Sequence, residues 1–372
     1  MILSKINQIV SGAAYEALKV EGVDPDAQYA AFEHGDFTSN LAFKLAKQLK
    51  QSPNEIAQRI AGAVSHQDVA EAKATGGYLN LVMKSDYWVS ILEQIQVNPV
   101  ERPEKVQVEF ISANPTGPLT IGNARGGYIG DVIARVLESI GHEVTREYYF
   151  NNAGTQIGNL IDSVKSASGI DVGGEIKYKG EYIEEIATRY ADDLCNKSDK
   201  ELRQIITEHI IREYIKPAVI EMGIEFDVWF NEKDLIDDGT FAQTLERLGA
   251  MGLIFEKDGA IWLRTEGLGD DREERVVVKS NGDPTYLGPD LAYHVNIFEK
   301  RGFDRAIKVL GPDHIAQFPS LAAAIKALFP DKKLEMASHQ WLRLIRDGKE
   351  LKMSKRLGQY VTVSELVAEV GA

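Results

Sequence analysis

The stretch from 105 to 150 limits the fold of this chain more than any other part of it. Apolar and polar residues alternate over 105–110, which predicts a short strand. Prolines and a glycine over 115–118 form a loop, an apolar-periodic helix follows, and 144–150 predicts a second strand. This order predicts two parallel strands joined by a right-handed crossover. The ligand site of such a sheet lies at the carboxyl ends of its strands, here in the loop 112–123.

The helix predicted after this loop has an apolar stripe and a glycine-rich start. The stripe, which we expect to be buried, ends before Gly141 and consists of Ile129, Val132, Ile133, Val136, Leu137 and Ile140. Free N–H groups and the helix dipole at the start of the helix favour a phosphate. Gly126, Gly127 and Gly130 do not form a dinucleotide-binding motif, and close packing of the helix on a strand is the alternative interpretation for them.

Composition restricts the class of protein. The 372 residues are enough for two domains, and the hydrophobic fraction of 44% and charged fraction of 26% are typical of a soluble globular protein. No apolar run has the length of a membrane span. The single cysteine, Cys195, excludes an intramolecular disulfide and predicts a reducing, cytoplasmic location. The net charge of −14 argues against indiscriminate nucleic-acid binding.

Residues 1–98 predict a small α+β domain without a catalytic constellation. We expect three helices there, the second beginning after Ser39 and the third at Pro53. Two strands are expected on either side of Gly76-Gly77. The segment 98–104, with two prolines, is interpreted as a linker to a second domain.

Residues 160–272 predict a mostly helical insertion in that second domain. Between 171 and 238 there are 18 acidic residues against 9 basic ones, and helical periodicity dominates. Solvated acidic faces explain this composition better than a carboxylate metal site, because no histidine stands at metal-ligand spacing. The second half of the nucleotide-binding sheet is expected to resume at Arg275.

The elements expected after Arg275 carry several candidate site residues. Tyr286 and Asp290 flank the loop 287–289, and Gly311 and His314 follow a buried strand. The expected elements are strands at 276–279, 306–310 and 334–345, helices at 291–300 and 315–329, and a last helix that begins with a Thr362–Glu365 capping box.

A short basic motif, Lys352-Met353-Ser354-Lys355, lies in the loop before that last helix. From 299 to 356 there are 13 basic residues against 7 acidic ones, although the whole protein is acidic. Alone, the motif could be a solvated basic loop. In a sheet that opens with Asn114-Pro115-Thr116-Gly117, two lysines on such a loop would neutralise charge on a leaving pyrophosphate.

With both motifs in place, the chain resembles the class I aminoacyl-tRNA synthetases, and specifically the arginyl-tRNA synthetases. The resemblance covers nearly all 372 residues and is loose in the acidic insertion. It implies a Rossmann-like, parallel-sheet, nucleotide-binding catalytic domain (α/β) at 99–372, preceded by an α+β domain that contacts the corner of the tRNA. The residues that carry it are 108–110, 112–119, 130–131, 146–149, 152–154, Tyr286, Asp290, Gly311, His314, Gln317 and 352–356, with 32–50 in the first domain.

The activity of that family is ATP-dependent activation of arginine to arginyl-adenylate, followed by transfer to tRNA(Arg). The resemblance therefore implies arginine, ATP and tRNA(Arg) as partners, Mg²⁺ carried by ATP, no protein-bound structural metal, no membrane and a monomer. It implies that arginine is bound by Glu109, Asn114, Tyr286, Asp290 and Gln317. It implies that ATP is bound by Pro118, Gly122, Gly311, His314, Met353 and Ser354. It implies catalytic roles for Thr120, Asn123, Lys352 and Lys355.

The residues themselves leave four of these assignments open. His314, a lone histidine after a strand, could be merely structural. Asp290 could be the N-cap of the helix predicted at 291–300, since an apolar-periodic run begins directly after it. Glu109 could be an outward-facing strand residue, and Tyr286 could be a core aromatic.

The chain departs from the family pattern in two places. Where the family has its HIGH motif, this sequence has Thr120-Ile121-Gly122-Asn123, so that both histidines are replaced by uncharged donors. The chain stops at Ala372, where the family continues into a helical anticodon-binding domain, so we expect a catalytic fragment or a naturally shortened relative. Two further functions stay open: a shortened paralogue that passes activated arginine to a non-tRNA acceptor, and a non-catalytic tRNA- or nucleotide-binding relative.

Overall fold

A computed structural model of the chain separates into two compact units, Met1–Val97 and Asn98–Ala372. The residues that it describes are 2–94, 99–264, 274–313, 315–340, 342, 344–346, 349–351 and 360–371.

The first unit is a small antiparallel sheet covered by helices, which confirms the predicted α+β class. Its four strands lie in the order β1-β2-β4-β3. Pro53 begins the third helix behind a Ser52–Glu55 capping box, as the sequence predicts. The elements are α1 (Ile2–Leu18), β1 (Gln28–Tyr29), β2 (Phe37–Ser39), α2 (Leu41–Leu49), α3 (Pro53–Ala63), β3 (Val69–Thr75), β4 (Tyr78–Met83) and α4 (Ser85–Gln94).

The second unit begins with the predicted strand–loop–helix–strand segment and carries the larger number of elements. Its first part, up to the end of the acidic range, consists of β5 (Lys105–Glu109), α5 (Ile121–Ser139), β6 (Glu143–Phe150), α6 (Gly154–Ala167), α7 (Glu181–Arg189), α8 (Ala191–Asn196), α9 (Asp199–Ile210), α10 (Lys216–Glu221), β7 (Val228–Asn231), α11 (Glu232–Asp237), α12 (Thr240–Ala250), β8 (Ile254–Lys257) and β9 (Ala260–Arg264). Its second part consists of β10 (Glu274–Val278), α13 (Leu287–Val295), β11 (Arg305–Leu310), α14 (Phe318–Leu328), β12 (Lys333–Ser338), β13 (Leu344–Arg346), β14 (Lys349–Leu351) and α15 (Val363–Val370).

A five-stranded parallel sheet forms the centre of this unit, which confirms the Rossmann-like class. The strand order is β12-β11-β5-β6-β7, and every neighbouring pair is parallel. The chain moves outward from β5 to β7 and then returns to the other side of β5 with β11. This reversal places a topological switch point between β5 and β11, where doubly wound sheets bind their ligands.

Helix α5 packs on the sheet largely through small residues, and the predicted apolar stripe is buried only in part. Leu137 is buried and the three isoleucines of the stripe pack against the core. Val132 and Val136 are 57% and 54% exposed. At Gly130 an added Cβ would lie 2.2 Å from Phe110 Cγ, so the aromatic ring fills the space that a side chain would need. The packing interpretation is therefore confirmed for Gly130. The buried face consists of Ile121, Ala124, Gly126, Gly127, Gly130, Asp131, Ala134 and Leu137.

Three elements in the second half of the chain differ from the sequence-based expectation. The strand expected at 276–279 forms as β10 but pairs antiparallel with β9, so the parallel sheet resumes only at β11. The expected loop 287–289 is the first turn of α13, where the nitrogen of Pro289 needs no hydrogen-bond partner. The single strand expected at 334–345 is divided into β12, parallel to β11, and β13, antiparallel to β14.

The acidic range 160–272 is helical over most of its length but also contributes to the sheet. Strand β7 lies within it and pairs with β6. Sequence analysis missed this strand because its four residues lie in a stretch dominated by helical periodicity.

The close approach of α5 to Phe110 predicts that Gly130→Ala destabilises the protein. An added methyl group overlaps a buried ring, and overpacking of this kind costs about 1–3 kcal/mol in free energy of unfolding. Urea unfolding followed by circular dichroism measures the change. Gly122→Ala is the matched control in the same helix, because the nearest atom to its added Cβ is Thr120 Oγ1 at 3.7 Å. Equal loss of stability in the two variants would contradict this account.

Candidate active site

A crevice opens at the carboxyl ends of β5, β6 and β11, at the switch point of the sheet. Side chains from α11, α13 and α14 close its sides. The polar residues that line it are Glu109, Ser112, Asn114, Tyr149, Asn151, Glu232, Tyr286, Asp290, Lys308 and Gln317, and Gly311 adds backbone. The position of this crevice agrees with the ligand site expected from the sheet topology.

A buried lysine joins two carboxylates on one wall of the crevice. Lys308 Nζ donates a hydrogen bond to Asp290 Oδ1 at 2.9 Å and forms an ion pair with Glu109 Oε2, also at 2.9 Å. The side chains of Lys308 and Glu109 are 5% and 6% exposed, and that of Asp290 is 27% exposed. Burial raises the pKa of Glu109, and the ammonium group of Lys308 opposes that rise.

A third carboxylate, Glu232, lies at the carboxyl end of β7. Its two oxygens accept hydrogen bonds from Tyr149 Oη at 2.7 Å and from Asn151 Nδ2 at 2.5 Å. Burial raises the pKa of Glu232 as well. The crevice therefore holds three carboxylates against one ammonium group, an arrangement that favours a cationic ligand.

The backbone after β5 adopts an unusual conformation beside this acidic wall. Ile111 and Ser112 have φ values of +64° and +44°, which a β-branched residue such as isoleucine rarely adopts. Ser112 Oγ accepts a hydrogen bond from the Tyr149 N–H group at 3.2 Å, which holds the turn against β6. Backbone strain of this kind concentrates at functional sites.

A second buried network fixes helix α13 on the sheet. Tyr293 Oη donates to Glu147 Oε1 at 2.5 Å and accepts from Gln107 Nε2 at 2.9 Å. Arg301 binds both oxygens of Glu147, at 2.5 and 2.8 Å, and the Glu147 side chain is fully buried. Tyr293 follows Asp290 by three residues on the same helix, so this network also determines where Asp290 lies.

The structure brings the five residues predicted to bind arginine to one crevice, and it excludes the alternative interpretations of Asp290, Glu109 and Tyr286. Asp290 is not a helix cap, because α13 already begins at Leu287 and Tyr286 occupies the N-cap position. Glu109 is not an outward-facing residue, since it is buried. Tyr286 is not a core aromatic, since it is 62% exposed at the crevice rim. Asn114 Oδ1 accepts from the Asn151 N–H group, and its Nδ2 donates to Gln156 Oε1, both at 3.0 Å.

Thr120 and Asn123 bond to each other at the start of α5. Asn123 Oδ1 accepts from both the N–H group and the hydroxyl of Thr120, each at 3.0 Å. The residues on either side of Thr120 pair with the segment before α15: the Ile121 N–H group donates to the Val361 carbonyl at 3.2 Å, and the Val363 N–H group donates to the Leu119 carbonyl at 2.9 Å. The predicted roles of Thr120 and Asn123 toward phosphate stay predictions. The same holds for the predicted ATP contacts of Pro118 and of Gly122, which is exposed.

Five other predicted site residues lie outside the described part of the chain. They are His314, Lys352, Met353, Ser354 and Lys355.

Sequence analysis missed two charged residues of the crevice, Lys308 and Glu232. A lysine inside the apolar run 306–310 was a usable signal, because a charge in a buried strand needs a partner. Glu232 gave no such signal, since it is one of many acidic residues in the range interpreted as a solvated surface.

The described residues contain neither a membrane-spanning helix nor a cluster of metal-binding side chains. None of the helices there has the length and apolar character to cross a membrane. The same residues contain no group of three or more His, Cys, Asp or Glu side chains that could hold a metal ion.

Comparison with known proteins gives matches along most of the chain. The family model for "tRNA synthetases class I (R), catalytic domain" matches residues 89–371, and that for "Arginyl tRNA synthetase N terminal domain" matches residues 2–83. The arginine–tRNA ligases of Acetivibrio thermocellus and Moorella thermoacetica are 38% and 39% identical to it over 365 and 363 residues. Each alignment covers 91% of this chain and 64% of the relative, so the chain spans less than two thirds of the length of these relatives.

Two solved structures share the fold. A Campylobacter jejuni crystal structure, provisionally assigned as an arginyl-tRNA synthetase, is 31% identical, has a TM-score of 0.65 and covers 74% of this chain and 62% of its own. The Thermus thermophilus arginyl-tRNA synthetase is 22% identical, has a TM-score of 0.55 and covers 99% of this chain and 69% of its own, which supports the fold alone. Since both family models match and curated relatives are more than a third identical over most of its length, the chain belongs to the class I arginyl-tRNA synthetase family.

Proposed function

We propose that this protein activates arginine with ATP to give arginyl-adenylate and pyrophosphate, and then transfers the arginyl group to tRNA(Arg). The observation that carries the proposal is the group of three carboxylates, Glu109, Glu232 and Asp290, at the switch point of the sheet. An anionic crevice suits an amino acid with two cationic groups. The matched curated relatives are arginine–tRNA ligases, and they favour neither a non-tRNA acceptor nor a non-catalytic role.

In the proposed complex, the guanidinium group binds between Asp290 and Glu232, with the Tyr286 ring beside it at the rim. A guanidinium group forms its strongest contacts with carboxylates and packs well against aromatic rings. The α-ammonium group binds near Glu109, which leaves the substrate carboxylate toward Asn114. Gln317 lines the same crevice and is the fifth residue proposed to bind arginine.

The proposed first step needs positioning rather than a general base, because the attacking carboxylate of arginine is already ionised. It attacks the α-phosphorus of ATP, the bond from that phosphorus to the bridging oxygen breaks, and pyrophosphate leaves. Gly311 at the end of β11 and the loop with Pro118 and Gly122 are proposed to contact ATP. By resemblance the same role is proposed for His314, Met353 and Ser354, while Thr120, Asn123, Lys352 and Lys355 stabilise the phosphates.

The remaining partners are proposed from the family. Mg²⁺ arrives bound to the ATP phosphates and supplies charge neutralisation there. The first unit, Met1–Val97, contacts the corner of the tRNA. We further propose that the protein acts as a monomer in the cytoplasm.

Arginine-dependent exchange of labelled pyrophosphate into ATP tests the proposal. The assay is run with each of the twenty amino acids, with and without tRNA(Arg), and charging of tRNA(Arg) is measured in parallel. We expect exchange with arginine alone among the amino acids. Exchange with another amino acid, or with none under either condition, would reject the function.

Asp290→Asn is predicted to weaken arginine binding strongly. The variant keeps the shape of the side chain but loses the charge that faces the guanidinium group, which costs about 2–5 kcal/mol in a desolvated pair. Isothermal titration calorimetry measures the dissociation constant. Asp331→Asn, an exposed aspartate between α14 and β12, is the control and should leave arginine affinity unchanged. A lower melting temperature with unchanged arginine affinity would show that Asp290 is purely structural.

Glu232→Gln is predicted to reduce the preference for arginine over citrulline, its uncharged isostere. Glutamine can still accept from Tyr149 Oη, so the pocket keeps its shape while one charge-assisted contact of about 1.5–3 kcal/mol is lost. Competition binding of the two ligands to wild type and variant measures the preference. An unchanged ratio of affinities would place the guanidinium group away from Glu232.

Lys355→Ala is predicted to lower kcat of the exchange reaction more than it raises KM for ATP. A cation that meets the charge on the leaving pyrophosphate acts mainly in the transition state. Steady-state exchange kinetics at varied ATP separate the two constants. A change confined to KM would mean that Lys355 only binds ground-state phosphate.

A further inference from the structure

Lys308 is a buried cation for which the proposed reaction has so far no role. It lies inside strand β11, and its ammonium group contacts Asp290 and Glu109 and sits 5.4 Å from the centre of the Tyr293 ring. Burial lowers the pKa of Lys308, but the two carboxylates raise it more, and the result lies well above its ordinary value. Lys308 therefore stays charged near neutral pH.

The two carboxylates would repel each other if Lys308 were absent. Glu109 and Asp290 each place an oxygen 2.9 Å from the same nitrogen, so they are close neighbours in a partly closed site. Two such carboxyl groups do not both stay ionised, because like charges and burial each favour the protonated form of one of them. For Glu109 burial already raises the pKa.

The other titratable groups that face this pair do not replace the lysine. Burial raises the pKa values of Tyr149 and Tyr293 well above 10, so both phenols stay neutral. Burial lowers the pKa of His294 to about 3, so its imidazole is neutral too, and its Nδ1 lies 2.7 Å from the Asp290 carbonyl oxygen. Glu232 adds a further acidic group. The charge of the pair therefore depends on Lys308.

We propose that Lys308 is a positioning residue that keeps Glu109 and Asp290 ionised and fixes them side by side for the two cationic groups of the substrate. This inference rests on the proposed function for the identity of the substrate. With Lys308 present, arginine meets two preformed anions. Without it, one carboxyl group carries a proton near neutral pH, and binding of arginine must release that proton.

Lys308→Met tests this through the pH dependence of arginine binding. Calorimetric titrations between pH 5.5 and 9, in buffers of different ionisation enthalpy, give both the affinity and the number of protons released. In the variant we expect the midpoint of the affinity profile to move up by about one pH unit or more, with proton release near pH 7. An unchanged midpoint with no proton release in a variant that binds arginine would overturn the proposal.

Lys332→Met is the matched control. Lys332 Nζ forms an ion pair with Asp304 at 2.9 Å, but at the amino-terminal edge of the same sheet, where the Asp304 side chain is 49% exposed. Solvent keeps an exposed carboxylate ionised when its partner is removed. This control should leave the midpoint unchanged. If the midpoint in Lys332→Met shifts as far as in Lys308→Met, the effect does not come from the carboxylate pair of the crevice, and the proposal is overturned.

Thermal unfolding without any substrate gives a second, independent readout. In Lys308→Met one carboxyl group has a folded-state pKa above its unfolded value. Its stabilising contribution is therefore fully present below the unfolded pKa and is lost as pH rises through the folded-state pKa. The melting temperature of the variant should therefore fall further below that of wild type as pH rises from 5 to 9. The charge of Lys308 itself is constant over this range.

The two readouts separate this inference from the proposed function. A gap in melting temperature that does not grow with pH overturns the inference, whatever the substrate. If the gap in melting temperature between variant and wild type grows with pH but the wild type does not bind arginine, the role of Lys308 in the carboxylate pair is supported and the proposed function is rejected. If Lys308→Met does not fold, Lys308→Gln, which keeps an N–H donor without the charge, takes its place in both measurements.

Discussion

The ion pair between Lys308 and Glu109 is the interaction on which the crevice depends. The two residues are direct neighbours in the parallel pairing of β11 with β5, so one strand brings the cation and the next strand brings the anion to the same place. Neither charge could be buried alone, because an unpaired ion in a protein interior costs several kcal/mol. Asp290 from α13 becomes the third member, and the strands of the switch point are thereby tied to a helix that covers them.

Helix α13 is held a second time, one turn further along. Tyr293 reaches Glu147 on β6 and Gln107 on β5, and Arg301 covers both oxygens of Glu147. Each buried polar atom named in these contacts gains a partner, which offsets the cost of removing it from water. The carboxylate wall is thus preorganised before a substrate arrives, so that binding does not have to order it.

Sequence patterns were a good guide where the structure depends on neighbouring residues alone. Alternating residues, prolines and helix-capping pairs act over a few positions, and these local rules correctly predicted β5, the start of α3 at Pro53 and the Thr362–Glu365 capping box. The parallel arrangement also followed from chain order, because a strand–helix–strand segment leaves few other ways to pair. Family resemblance supplied the five candidate arginine-binding residues of the crevice, and Gly311 beside them. Sequence analysis did not name Lys308 and Glu232 as site residues, because the role of each depends on contacts with residues that are distant in the sequence.

By itself the sequence determined the class of fold, the end of the sheet at which the crevice lies and the family to which the chain belongs. Only the tertiary structure decided which faces of the elements are buried. Val132 and Val136 look like core residues in the sequence yet are exposed, whereas the helix turns Gly130 toward the sheet, where Phe110 fills the space beside it. Glu109 looks like a surface residue yet is buried, because Lys308 stands beside it on β11. The reason is physical: hydrophobic periodicity describes a single element, whereas burial and charge pairing depend on which elements meet.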